Sequence, residues 1–309
     1  MNVPVLLITF NRPKETSRVL EALRLVQPSR LFVASDGPRP SRATDFARCA
    51  EVRKLVETLV DWPCEIQTLF QKENLGCRRG VVAAISWFFE HVSEGIILED
   101  DIVPDPTFFQ YQEELLTRFR DDTRVMCVSG HQALGRAPWV ESYRFSRFAA
   151  IWGWGTWKRV WDQYEPLAES YFQLGGQEPI RKFLKKPQLV AWWHQNLESA
   201  AEGRLDTWDV QFCYLLLKSR SLCVIPSESL VENIGFGSDA THTVGDGTGP
   251  AEPPPTPVKF PLQHPAEVKV DRWYDRRMAK RNFWNREATF LGKATKTAKK
   301  IVKRILRRN

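Results

Sequence analysis

The feature that most constrains this chain is an alternation. Short apolar runs at residues 3–9 (VPVLLIT), 31–35 (LFVAS), 65–70 (EIQTLF), 95–99 (GIILE) and 124–129 (RVMCVS) are each bounded by glycine or polar residues. Between them, residues 14–26, 42–60, 77–92 and 106–119 repeat apolar positions three or four apart, the period of a helix with one buried face. Strands separated by helices about thirty residues apart predict an α/β fold with a mostly parallel, doubly wound sheet. In such sheets ligands bind outside the carboxyl ends of the strands, so the residues that follow each strand become the candidates for function.

Those residues are polar and mostly charged. Thr9 ends the first strand and Asn11 and Arg12 follow it, Asp36 and Gly37 follow the second; Glu73 and Asn74 follow the third, Glu99, Asp100 and Asp101 the fourth, and Gly130 and His131 the fifth. Three adjacent acids repel one another unless a cation compensates them, and hard carboxylate oxygens suit Mn²⁺ or Mg²⁺. Beside a nucleotide pocket such an ion would bridge phosphates; a solvated acidic turn is the plainer alternative. "TFNRP" and "SDGPR" fit a nucleoside site in which Arg12 offers a donor fork and Asp36 a two-oxygen acceptor for a uracil-like edge. Either segment could equally be a turn or a helix cap. "ENLGCRRG" puts Gly76 and Gly80 where a loop enters a helix, with Arg78 and Arg79 in its first turn, a place that favours anions.

The later sequence has a different texture. Trp154, Trp157 and Trp161 are spaced as one face of a helix and predict a core stripe, while Trp152 and Gly153 before it are candidates for lining an acceptor site. A further helix is expected over 187–202. The six cysteines form no CxxC pair and are expected to be reduced and structural. The whole-chain charge is +7, but residues 293–309 hold eight lysines and arginines without an acid, leaving the first 292 residues at −1. No nucleic-acid-binding body is implied. No apolar run reaches membrane-spanning length and no leader precedes the first strand, so a cytoplasmic protein is the simplest expectation. The basic C-terminal helix could rest on an anionic membrane face or be solvated.

The ordered blocks LLITFNRPKETSRVLEALR, LFVASDGPR, LGCRRGVVAAISWFF, IILEDDIVPDPTFFQYQEELL, MCVSGHQ and GWGTWKRVW resemble the GT-A nucleotide-sugar glycosyltransferases related to N-acetylglucosaminyltransferase I, over about residues 3–245. The resemblance implies an inverting transferase using a UDP-sugar and Mn²⁺ (or Mg²⁺), in which EDD stands for the DXD motif. It makes Asp101 the direct metal ligand and places Glu99 and Asp100 against water, ribose or sugar, with Arg12 and Asp36 on the uridine. A base must take the proton of the attacking hydroxyl. "RLDTWDVQF" offers Asp209 first and Asp206 second, although the family's adjacent acid pair is not reproduced because Val210 follows Asp209; Trp208 between them is an acceptor-side candidate. His242 in "SDATHT" would touch metal or diphosphate. The acceptor would be a glycan or a lipid-linked saccharide.

The expected organisation is a nucleotide-sugar-binding half (1–130), an acceptor-side half of the same domain (131–245), a proline-rich connector (246–270) and a basic helical tail (271–309). Two rival readings remain. A sugar nucleotidyltransferase would normally place a glycine-rich basic loop after the first strand, and a non-catalytic nucleotide-sugar-binding protein would lack the base.

Overall fold

The computed structural model describes residues 1–165, 177–235 and 254–284. Its sheet strands are β1 (Val5–Thr9), β2 (Arg30–Ser35), β3 (Glu65–Phe70), β4 (Glu94–Glu99), β6 (Val125–Ser129), β7 (Tyr143–Ser146), β8 (Trp154–Trp157) and β9 (Leu222–Pro226), in the order β3-β2-β1-β4-β8-β6-β9-β7. β5 (Ile102–Pro104) and β10 (Val231–Asn233) form a separate antiparallel pair. β1, β2, β3 and β4 are parallel neighbours, whereas β8 runs antiparallel between β4 and β6, and β7 antiparallel to β9. The chain steps from β1 outward to β2 and β3 on one side and returns to β4 on the other. That reversal opens a crevice at the carboxyl ends of β1 and β4.

Local chemistry explains the elements. β1 and β4 are unbroken apolar runs because both sheet faces are covered. α1 (Pro13–Val26) starts with proline in its first turn, where the missing N–H costs nothing, and buries Val19, Leu20 and Leu23. α2 (Ala43–Leu59) and α3 (Gly76–His91) follow β2 and β3. α4 (Pro106–Arg118) is capped by Asp105, whose carboxylate accepts from the Thr107 N–H at 2.8 Å, ahead of Pro106. All five expected strands and all four expected helices of the first half are present within two residues of their expected limits.

The tryptophan block is corrected. Trp154 and Trp157 lie on strand β8, and only Lys158–Trp161 forms a short helix, α5. Their three-residue spacing sends them to opposite faces. Trp157 Nε1 donates to the Leu116 carbonyl, while Trp154 stacks on Trp208, 5.7 Å between ring centres. Both are core, as expected, but by a different geometry. Gly155 between them is required, since a Cβ would stand 2.4 Å from Gln112 Oε1.

Among the described residues the second half continues with helices α6 (Gln177–Leu184), α7 (Pro187–Ala201) and α8 (Asp209–Ser219). Its strands β7, β8 and β9 enter the same sheet as β1 to β4. The described part of the connector crosses the surface and joins β7 through a bridge between Val270 and Phe145. The expected tail does not begin free at residue 271: α9 (Arg272–Met278) buries Tyr274, Asp275 and Met278, with Arg147 paired to Asp275 at 2.6 Å. Residues 285–309, and with them the basic segment, lie outside the described residues. All six cysteines are free thiols. Among the described residues no helix is long and apolar enough to cross a membrane.

Candidate active site

A cleft of about 540 Å³ opens at the β1–β4 reversal, within the range of small-ligand sites. Its floor is apolar: Ile8, Ala34 and Leu69 from the strand ends, Val81 and Ala84 from α3. Its walls are charged. Asp36, Glu99, Asp101, Asp206 and Asp209 line it against two cations, Arg12 and Arg39. Five carboxyl groups face two guanidiniums; with Glu99 pushed up to about 8 and so mostly protonated, the cleft is still net negative at neutral pH. A diphosphate would be repelled from such a cleft unless a cation entered with it.

The three consecutive acids take separate roles. Asp100 is 2% exposed and turns inward, where it accepts from the Phe10 N–H at 3.1 Å and from Arg12. Asp101 faces the cleft and accepts from Arg12 Nη1 at 2.7 Å. Glu99 lines the cleft beside them, and its carboxyl is held above the ordinary range, first by desolvation and then by the charges of Asp101 and Asp100. The compensating cation that the sequence demanded is therefore, in part, Arg12. That displaces the expected role of Arg12 at a uracil edge, and it removes Asp100 from the cleft wall.

Asp36 is likewise committed elsewhere. One oxygen accepts from Gly37 N (2.8 Å) and Leu75 N (2.9 Å), the other from Asn74 Nδ2 (2.9 Å) and Gly76 N (3.2 Å). Four donors fill the acceptor positions of a carboxylate, so Asp36 braces the entry to α3 and does not present an open edge to a base. Asn74 belongs to the same brace through the Gly37 carbonyl at 2.9 Å. At the same helix end, Asp206 accepts from Arg78 N at 3.3 Å, so two of the protein's own carboxylates occupy the anion site expected there. Arg78 turns its guanidinium to the Ala200 carbonyl, 3.0 Å away, and does not line the cleft.

Asn11 also points away. Its amide donates to Asp45 at 2.8 Å, under Arg39, whose Nε meets the same carboxylate at 2.5 Å. Asp45 is held down to about 2, chiefly by the Arg39 hydrogen bond. Thr9 lines the cleft while its hydroxyl contacts the Ala34 carbonyl at 3.3 Å.

Asp209 also lines the cleft and opens α8. Its Oδ1 accepts from the Thr207 hydroxyl and from Val210 N (2.8 Å), and Oδ2 has no hydrogen-bond partner among the described residues. Trp152 lines the cleft half-exposed, backed by His131 with ring centres 4.5 Å apart. Gly153 is buried at φ +56°, where a side chain would strike Val231. Trp208 is 3% exposed and packed on Trp154 and Phe212, so it supports the wall without offering a ring face for an acceptor. His242 lies outside the described residues.

Sequence reasoning missed Asp45, Thr207 and the rim residues Asn233 and Gly235. Asp45 reads as an ordinary first-turn acid of α2, and Thr207 as a spacer between two acids. "VENIG", which spans β10 and the two residues after it, was the available signal for the rim.

A divalent cation fits this donor set in a limited way. Among the described residues no three histidines, cysteines or acids gather as a cage. Asp101 nonetheless offers hard oxygen to the cleft at a spot where a guanidinium already stands. One protein carboxylate, with the remaining positions filled by ligand and water, suits Mn²⁺ or Mg²⁺.

No family model matches the chain, and no curated protein matches its sequence. Similar solved structures include a UDP-glucose pyrophosphorylase complexed with UDP-glucose, 8% identical over 75% of this chain and 93% of that one, TM-score 0.42. Mouse xyloside xylosyltransferase 1, apo form, is 11% identical over 71% and 82%, TM-score 0.33. The inositol-1-phosphate CTP transferase from T. maritima is 10% identical over 53% and 74%, TM-score 0.31. Likenesses this distant assign no activity to the chain.

Proposed function

We propose that this chain is a glycosyltransferase that moves a sugar from a UDP-sugar to a hydroxyl of a glycan or lipid-linked acceptor, with a divalent cation at Asp101. The observation that carries this reading is the charge of the cleft: four aspartates and a raised Glu99 against two guanidiniums, at the carboxyl ends of β1 and β4. Such a cleft takes a diphosphate only together with a cation. The ion, when bound, neutralises the departing diphosphate.

The chain's own residues do the rest. The apolar floor under α3 accommodates a flat base, and Arg12 holds Asp101 in place while balancing Asp100. Asp209 is the base that receives the acceptor's hydroxyl proton on Oδ2. Thr207 and Val210 N hold its other oxygen, which fixes the carboxylate plane without occupying the reacting atom. Trp152 offers a half-exposed face to a sugar.

The rival nucleotidyl transfer is disfavoured by one local fact: only three residues, Phe10, Asn11 and Arg12, separate β1 from α1, and none is glycine. No loop is there to wrap a triphosphate. The discriminating experiment incubates the protein with Mn²⁺ and a panel of UDP-sugars, with and without pyrophosphate. Release of UDP supports glycosyl transfer. Formation of UTP only when pyrophosphate is present overturns it.

A further inference from the structure

A second surface gathers more cations than acids. Arg42, Phe46, Ala50 and Lys54 recur four apart along the exposed side of α2. Beside this ridge lies an open trough of about 550 Å³, lined among others by Pro38, Phe46, Arg53, Lys54 and Lys72. The ammonium groups of Lys54 and Lys72 have no ion-pair or hydrogen-bond partner among the described residues. Arg53 is held by the Gln71 carbonyl at 2.6 Å and over the Phe70 ring, with no carboxylate in salt-bridge contact. Glu57 is the single acid among the described residues that line the trough, and it forms no ion pair with any of the described residues. Some other surface cations are paired: Arg120 with Glu94, Arg124 with Asp122, Lys158 with Asp162.

The aromatic decides between ligands. Phe46 is 57% exposed at the rim of the trough. A soluble phosphate would be served by the cations alone and gains nothing from an exposed ring. An anionic bilayer uses both, since headgroups pair with lysine and arginine while an aromatic side chain enters the boundary between headgroup and acyl chain. We infer that the α2 flank is a docking surface for an anionic phospholipid membrane, with Lys54, Lys72 and Arg42 on headgroup phosphates and Phe46 inserted between them.

This surface is separate from the basic C-terminal segment and does not depend on the donor chemistry proposed above. It has a geometric consequence for the cleft. The segment Asp36–Gly37–Pro38 forms one wall of both sites, Asp36 in the cleft and Pro38 in the trough. Docking would therefore take place beside the cleft.

The test is flotation of the full chain with phosphatidylcholine vesicles containing roughly 30 mol% phosphatidylglycerol, against pure phosphatidylcholine. Wild type is expected to float with the anionic vesicles only. Lys54→Glu combined with Lys72→Glu is expected to lower the partition coefficient by about tenfold or more. Phe46→Ser, which leaves the charge unchanged, is expected to lower it by about threefold to tenfold. Circular dichroism melts matching wild type confirm that both variants fold. Flotation of either variant at the wild-type level overturns the proposal, as does a wild type that fails to float. Loss of inorganic phosphate binding in the double variant with flotation intact would identify a soluble-anion site and overturn it too.

Discussion

Asp36 and Asp209 stand on the walls of one cleft, both as aspartates just beyond a buried segment, and their surroundings make them opposites. Asp36 has four donors on its two oxygens, three of them backbone N–H groups. Asp209 has one oxygen held and the other open to the cleft. A carboxylate whose acceptor positions are filled is a strut, and one with a free lone pair facing a cavity can do chemistry. The same division separates Asp100, turned inward onto Phe10 N and Arg12, from Asp101 beside it in the chain. Residue type and position in the sequence are alike within each pair; the count of satisfied lone pairs differs.

The sharpest way to break this contrast is to remove charge from the two aspartates separately. Asp209→Asn keeps the shape of α8's first turn and loses the base, so turnover should fall by about a hundredfold or more, with nucleotide affinity within about twofold of wild type. Retained turnover would return Asp209 to a structural role. Asp36→Ala should do the reverse. It strands up to three N–H donors around the entry to α3, and urea unfolding should show a loss of about 3 kcal/mol or more. A variant of unchanged stability would mean that Asp36 is not the strut described here.

Asp45 extends the comparison to pH. Its carboxyl lies at about 2 against an ordinary 3.8, because Arg39 and Asn11 bind the charged form. A lowered carboxyl stabilises the fold above the unfolded value and loses that stabilisation as pH falls from about 4 towards 2. The contribution is about 2 kcal/mol at neutral pH. Asp45→Asn should therefore flatten the stability profile between about pH 4 and pH 2, followed by urea midpoints. A profile as steep as wild type would remove Asp45 from the acid response. The smallest effect is expected at Trp152→Ala, where loss of a stacking face should raise the acceptor KM by about threefold to tenfold with kcat little changed.

Much of the fold was legible because buried parallel strands write continuous apolar runs, and helices such as α1 and α4 mark their starts with proline and aspartate. The tryptophan block was not, since β8 is covered on both faces and no alternation survives to tell strand from helix. At the site, the convergence of charge followed from its position after successive strands. Which acids remain open did not follow, because that depends on partners far away in sequence. Phe10 N reaches Asp100, Leu75 N reaches Asp36, and Asn11 turns to Asp45.

The account depends on the acidic cleft admitting a diphosphate only together with a cation. Isothermal titration of UDP into the protein, with Mn²⁺ and then with EDTA, tests this most directly when repeated on Asp101→Ala. UDP affinity should rise by about tenfold or more with Mn²⁺ in wild type and show no such rise in the variant. Equal UDP affinity under all four conditions would contradict the account.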